Sequence, residues 1–220
     1  MLIKDFITKD FPVLKSSDTG AYAITLMEDL KAKHLPLLSE EGDYQSLVSE
    51  KEVMGMPDLE HALSTLAVFA PSVRVDGHWH EVLGKMSRYH LTVLPVVSER
   101  GRYLGVLTGE TVLDIFSQLC HAEESGSIIV LEILPQDYVV SDIARIVESN
   151  NAHLLSLLSH RDPVTGRLIV TIKVDLEDAS PLVRSFERFN YEIRYYYMEQ
   201  GMVDDLLQQR MEELMRYMNI

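Results

Sequence analysis

Within this chain one phrase occurs twice. LPLLSEEGDY, at 35–44, returns fifty-nine residues later as LPVVSERGRY, at 94–103, with six of ten positions identical. The match runs on without a gap: Pro12 pairs with Pro71, Met27 with Met86 and Val53 with Val112. Self-similarity at a fixed period announces repeated supersecondary units, and it constrains the fold more than any composition does.

Each copy reads alike. A short extended segment opens at a proline (Pro12-Val13-Leu14, Pro71-Ser72-Val73) and leads through a polar turn into a helix. The helix carries Ile24, Met27 and Leu30, or Leu83, Met86 and Tyr89, at helical spacing. A buried strand follows (LPLL, LPVV), then a tight turn at Gly42 or Gly101, a second strand (YQSLV, YLGVL) and a closing helix entered through SEKEVM or TGETVL. The spacing also predicts a helical link in MPDLEHALSTLAVFA, 56–70. A unit of this size is too small to bury its sheet alone, whereas two related by a pseudo-twofold axis cover each other. The expected first domain is therefore 1–122, with repeats at about 1–56 and 70–120.

After the polar stretch HAEESGS (121–127) the pattern changes. Ile128 to Leu134 reads as a strand, and Ser141-Asp142 as the cap of a helix with Ile143, Ile146 and Val147. Leu154 to Leu158 and Leu168 to Val174 read as strands around the turn at 161–166, followed by a helix with Leu182, Phe186 and Phe189 and the strand YEIRYYY. That order, βαββαβ over 127–198, predicts a ferredoxin-like domain. An amphipathic helix is expected over 201–220, where Leu207, Met211, Leu214 and Met218 form a short heptad-like stripe that either docks on its own domain or pairs between subunits.

With a formal net charge of −14 and acidic residues in both halves, the chain offers no basic surface for a phosphate backbone. Nucleic acid is not an expected partner; a small nucleotide, held by backbone N–H groups and hydroxyls, is compatible with this charge. No apolar run is long enough for a membrane span or a signal peptide, and the single Cys120, read as a buried small hydrophobe at a helix end, suits a reducing, cytoplasmic compartment.

Spelled out in this way, the repeat resembles a tandem pair of CBS domains, modules that sense adenine nucleotides in many regulatory proteins. The second half resembles an ACT domain, and the domain order resembles the regulatory proteins associated with acetoin utilisation. The implied fold class is α/β (α+β): a CBS pair with pseudo-twofold symmetry, an ACT-like βαββαβ domain and a terminal helix.

The resemblance implies a nucleotide motif at each strand-to-helix junction, a Gly, two apolar residues, a hydroxyl residue, and an Asp three positions on. Copy two gives Gly105-Val106-Leu107-Thr108 with Thr111 at the Asp position; copy one gives Ser46-Leu47-Val48-Ser49 with Glu52 there. Ser49 and Thr108 are also read as simple helix N-caps. Glu52 is long enough to reach a ribose, Thr111 offers no carboxylate, and His34, Leu35, Val93 and Leu94 stand beside the adenine position or in the core.

His78-Trp79-His80 is a weaker candidate for metal, needing a third ligand such as Glu81 or His90. No catalytic signature is present, neither a phosphate loop nor a nucleophile elbow nor HExxH. The expectation is a non-catalytic, homodimeric regulator of an unknown partner protein, needing no cofactor and binding an adenine nucleotide; the alternatives are a ligand-free interaction scaffold and an amino-acid sensor acting through the ACT-like domain.

Overall fold

The computed structural model describes residues 2–66, 68–198 and 201–203. They divide into two compact units, Met1–Ile115 and Phe116–Ile220.

In the first unit, copy one runs β1 (Leu14–Lys15), α1 (Gly20–Leu30), β2 (His34–Leu38), β3 (Tyr44–Ser49), α2 (Glu50–Met54). Copy two runs β4 (Val73–Arg74), α3 (Trp79–Tyr89), β5 (Val93–Val97), β6 (Tyr103–Thr108), α4 (Gly109–Leu119). Apart from the longer α4, every element of copy two is its counterpart moved by the spacing of the repeated phrase. Local detail repeats as well: α1 and α3 both end on a left-handed residue, Lys31 and His90, each at φ 53°. Each copy builds a three-stranded sheet, β1-β2-β3 or β4-β5-β6, with one parallel and one antiparallel pair.

Proline in a middle strand needs an explanation, because it removes a ladder donor. Pro36 lies opposite Leu47, whose own N–H turns away from β2 to the Phe69 carbonyl at 2.7 Å. On the other side, the parallel partner β1 begins only opposite Leu37. The missing N–H therefore falls where no ladder bond is due. Pro95 repeats the arrangement, with Val106 donating to the Thr8 carbonyl at 3.1 Å.

The two copies do complete one another's core. Leu47 of copy one sits, 1% exposed, in the apolar cluster of copy two with Val82, Leu94 and Leu107, and Phe11 packs against both clusters. Equivalent residues meet near the local axis: Asp43 bridges Arg102, and the Lys33 N–H donates to the Thr92 hydroxyl at 3.2 Å.

The predicted helix over 56–70 does not form. Among its described residues only Leu63–Thr65 makes a single 3-10 turn, because the segment spends its carbonyls on the start of α1: Gly20 donates to His61 and Ala21 to Leu59. Among the described residues of the segment, Leu63 alone is drawn fully into the core.

One pair of equivalent residues breaks the symmetry. Tyr44 donates its hydroxyl to the Pro71 carbonyl at 2.9 Å, whereas the Tyr103 hydroxyl is buried without a partner. Burial raises both phenols, Tyr103 to about 12 and Tyr44 further still with Tyr103 adding to the effect, so both are neutral donors at pH 7. An unpartnered buried hydroxyl carries a desolvation cost that a satisfied one does not. Tyr44→Phe is expected to destabilise the unit by about 1 kcal/mol and Tyr103→Phe to leave it unchanged or up to about 1 kcal/mol more stable. Urea unfolding of the two variants checks the opposite signs; equal losses would contradict the asymmetry.

The second unit is a ferredoxin-like sandwich. β7 (Ser127–Ile133), α5 (Val140–Ser149), β8 (Leu154–Arg161), β9 (Leu168–Val174), α6 (Ser180–Arg188) and β10 (Glu192–Met198) give an antiparallel sheet in the order β10-β7-β9-β8, extended beyond β10 by β11 (Gly201–Val203). α5 buries Ile143, Ile146 and Val147 and α6 buries Leu182, Val183 and Phe186, against Ile129, Leu131, Val170 and Ile172 of the sheet. α5 starts at Val140, before the expected Ser141-Asp142 cap, and no side chain caps it. Cys120, just past α4, is half-buried rather than buried; desolvation pushes its thiol pKa up, the opposite of an activated thiolate. Of the helix expected over 201–220, residues 204–220 lie outside the described residues, and 201–203 form β11.

Candidate functional site

At the β3–α2 junction the side chains named from the sequence bind each other. The Ser49 hydroxyl accepts from the Glu52 N–H (3.2 Å) and donates to the Glu52 carboxylate (2.6 Å), which also takes the Ser49 N–H at 2.8 Å. This is a complete capping box, satisfying two orphan donors of the helix start. At β6–α4 the Thr108 hydroxyl accepts from the Thr111 N–H at 3.2 Å and lies 3.0 Å from the Thr111 hydroxyl.

His34 is the cross-strand neighbour of Ser49, as Val93 is of Thr108. Its Nδ1 accepts from the Thr92 N–H at 3.3 Å and lies 3.1 Å from the Thr92 hydroxyl, tying copy one to copy two. Burial lowers the imidazole pKa, opposed by the Glu52 carboxylate and reinforced by Lys33. His34, Ser49 and Glu52 therefore gather at one end of the β2–β3 pair. Leu35, Leu94 and Val93 are buried in the apolar clusters, where they serve as core.

The open cleft of copy one has a different lining. A cavity of about 370 Å³ opens in copy one, with polar walls from Ser16, Gln45, Ser46 and Ser64. Leu37, Val48 and Leu63 give it an apolar floor. Ser46 and Val48 belong to the motif stretch named from sequence, but none of the eight residues singled out there lines the cavity. Ser16 and Gln45 were missed. The signal that finds them is a comparison of the copies: their equivalents are Val75 and Leu104, so two polar side chains replace two apolar ones.

In the second unit another cavity, of about 390 Å³, lies between the end of β7, the start of α5 and the turn before β10. Its charged wall includes Glu132, Asp137, Asp142, Arg145 and Arg167. Arg145 bonds Asp142 at 3.1 Å, and Arg167 bonds Glu192 and lies 3.6 Å from Glu132. Residues drawn from 132 to 192 meet here, a convergence that only the sheet order produces.

His78 and His80 pair with each other, Nδ1 to Nδ1 at 2.9 Å, while His78 also accepts from the His80 N–H at the start of α3. Glu81 pairs with Lys85 instead. Among the described residues no three His, Cys, Asp or Glu converge as metal ligands, and no helix is long and apolar enough to cross a membrane.

The first unit is thus a tandem pair of βαββα modules that share a core and leave a ligand-sized cleft in one copy. Residues 3–56 and 70–118 each match the family model of the CBS domain, so the first unit is a CBS domain pair. Among curated proteins it is similar to a homoserine O-acetyltransferase from Methanococcus vannielii, 20% identical over 117 residues. That match takes in 50% of this chain but only 24% of the enzyme. Among solved structures it is similar to a CBS domain pair/ACT domain protein from Thermotoga maritima, 20% identical with a TM-score of 0.48, covering 53% of this chain and 96% of that one. An acetoin utilization protein from Vibrio cholerae is 21% identical with a TM-score of 0.49, covering 56% and 95%.

Proposed function

We propose that this is a non-catalytic regulatory protein whose copy-one cleft takes an adenine nucleotide and passes its occupancy to a partner protein through a homodimer. The observation that carries the reading is the cleft itself, within a CBS pair: about 370 Å³, an apolar floor, and a few hydroxyl and amide groups at its edge. That volume lies in the ~300–1,000 Å³ range of small-molecule sites. Ser49 and Glu52, which stand outside the cleft lining at the β3–α2 junction, are the phosphate and ribose contacts in this reading, with the nucleotide extending along β3 to meet them, and Thr108 and Thr111 are their counterparts in copy two. To reach a ribose, the Glu52 carboxylate exchanges its bonds to Ser49 for bonds to the sugar hydroxyls. The setting is a reducing cytoplasm, in keeping with a single cysteine.

Thermal unfolding with AMP, ADP, ATP, NAD and S-adenosylmethionine tests it. A ligand at ~100 times its dissociation constant adds about 2.7 kcal/mol to the folded state. The expected result is a clear shift with at least one adenine compound, reduced in Glu52→Ala. No shift with any of them overturns the reading and favours a ligand-free dimerisation scaffold.

The charged cavity of the second unit favours a second reading, an amino-acid sensor acting through an ACT-like domain. Arg145 and Arg167 suit a carboxylate and Asp137 an ammonium group. A stability shift with free amino acids, lost in Arg145→Ala, distinguishes it from the first.

A further inference from the structure

Resting on the nucleotide reading of the copy-one cleft, we propose that Gln45, oriented by Ser16, is its specificity-determining residue, donating its amide N–H to an acceptor nitrogen of the purine ring, and that each chain holds one nucleotide.

The argument starts from the amide. Gln45 has one acceptor end and one donor end. The Ser16 hydroxyl donates to Gln45 Oε1 at 2.9 Å, which uses the acceptor end. Among the described residues Nε2 has no hydrogen-bond partner, and both side chains line the cavity. What the protein presents there is a pair of N–H donors at the edge of an apolar floor. A purine has a flat apolar face for that floor and ring nitrogens that accept in its plane. Ser16 does not touch the ligand in this arrangement; it is a positioning residue that engages the acceptor end of the amide.

Copy two shows the converse. Val75 and Leu104 stand at the equivalent positions and offer no donor. The Ser46 equivalent, Gly105, lies against the chain's own beginning: a Cβ there would come within 2.5 Å of the Ile7 side chain and 2.6 Å of the Thr8 carbonyl. In copy one the Ser46 hydroxyl instead bridges the Phe69 backbone, donating to its carbonyl at 3.1 Å and accepting from its N–H at 3.2 Å. The same strand position is therefore pressed by residues 7–9 in copy two, whereas in copy one it is bonded to Phe69 and borders the cavity.

Isothermal titration of AMP into the full-length chain tests the assignment. One site per chain is expected in the parent. Loss of a single neutral hydrogen bond weakens binding by about five- to tenfold, the expected effect of Gln45→Leu. Gln45→Glu, which turns a donor into an acceptor, is expected to weaken it further. Ser16→Ala is expected to weaken AMP and Ser16→Thr, which keeps the hydroxyl, to restore it, with the unfolding temperature unchanged across the set. Parent-like affinity in both Gln45 variants overturns the assignment while leaving the nucleotide reading standing, and two equivalent sites per chain overturn the one-nucleotide claim. If the parent binds neither AMP nor any other adenine compound of the thermal screen, the assignment and the reading fall together.

Discussion

Gly105→Ser, which gives copy two the residue that copy one has at the same place, is expected to lower the stability of the first unit by roughly 3 kcal/mol, the sum of backbone strain and overpacking of about 1–3 kcal/mol each. Gly105 has φ 138°, a conformation L side chains rarely adopt, and any Cβ meets Ile7 and the Thr8 carbonyl. The obstacle includes backbone that bonds Val106 in both directions, at 2.9 and 3.1 Å, so it cannot simply step aside. The reciprocal Ser46→Gly removes the two bonds to Phe69 without strain or overpacking and is expected to cost about 1–2 kcal/mol. Trp79, the single tryptophan, reports the first unit, so urea unfolding followed by its fluorescence measures both. Equal costs for the two exchanges would mean that residues 7–9 do not press on β6.

Phe186→Ala is expected to cost the second unit about 3–5 kcal/mol. Phe186 is fully buried on α6 between Leu182, Val183 and the sheet, with the Tyr191 ring edge-on at 5.5 Å and 86°. Removing it opens a cavity where α6 meets the sheet, and the neighbours are held by strands on the far side. Hydrogen exchange in β7 and β9 is the measurement, since a two-unit chain does not unfold in one step. Protection in those strands should fall while that in β5 and β6 holds. A loss below about 1 kcal/mol would show that α6 is not anchored through this ring.

Most of the architecture was legible because the repeat carries it. Once LPLLSEEGDY and LPVVSERGRY are aligned, the element bounds of one copy predict those of the other, down to the left-handed Lys31 and His90, residues that no propensity would place there. The βαββαβ order of the second half was equally readable from its periodicities. The segment 56–70 was not: its apolar spacing suits a helix, but its carbonyls are claimed by the N–H groups opening α1, a tertiary bond that outweighs local preference.

The candidate site was legible at its junctions and hidden at its walls. Ser49 and Glu52 announce themselves by spacing, and that spacing is also a capping box, which the structure shows them making. Ser16 and Gln45 lie at the ends of strands separated by a helix, and only the pairing of β1 and β3 with β2 sets them side by side. The charged cavity of the second unit draws on β7, α5, the turn before β9 and the start of β10, so no stretch of sequence contains it.

The bridge between Thr8 and Val106 bears on how the chain is made. Thr8 is translated before its partner strand, which follows only after most of the first unit has been made. Until then Ile3 and its neighbours have no second-copy cluster to enter, and they stay exposed as an apolar stretch of nascent chain. A contact between such distant positions forms slowly. Closing this bridge has to wait for β6, which makes residues 3–8 the clasp of the unit and the interval before it closes a period of exposure to chaperones and aggregation.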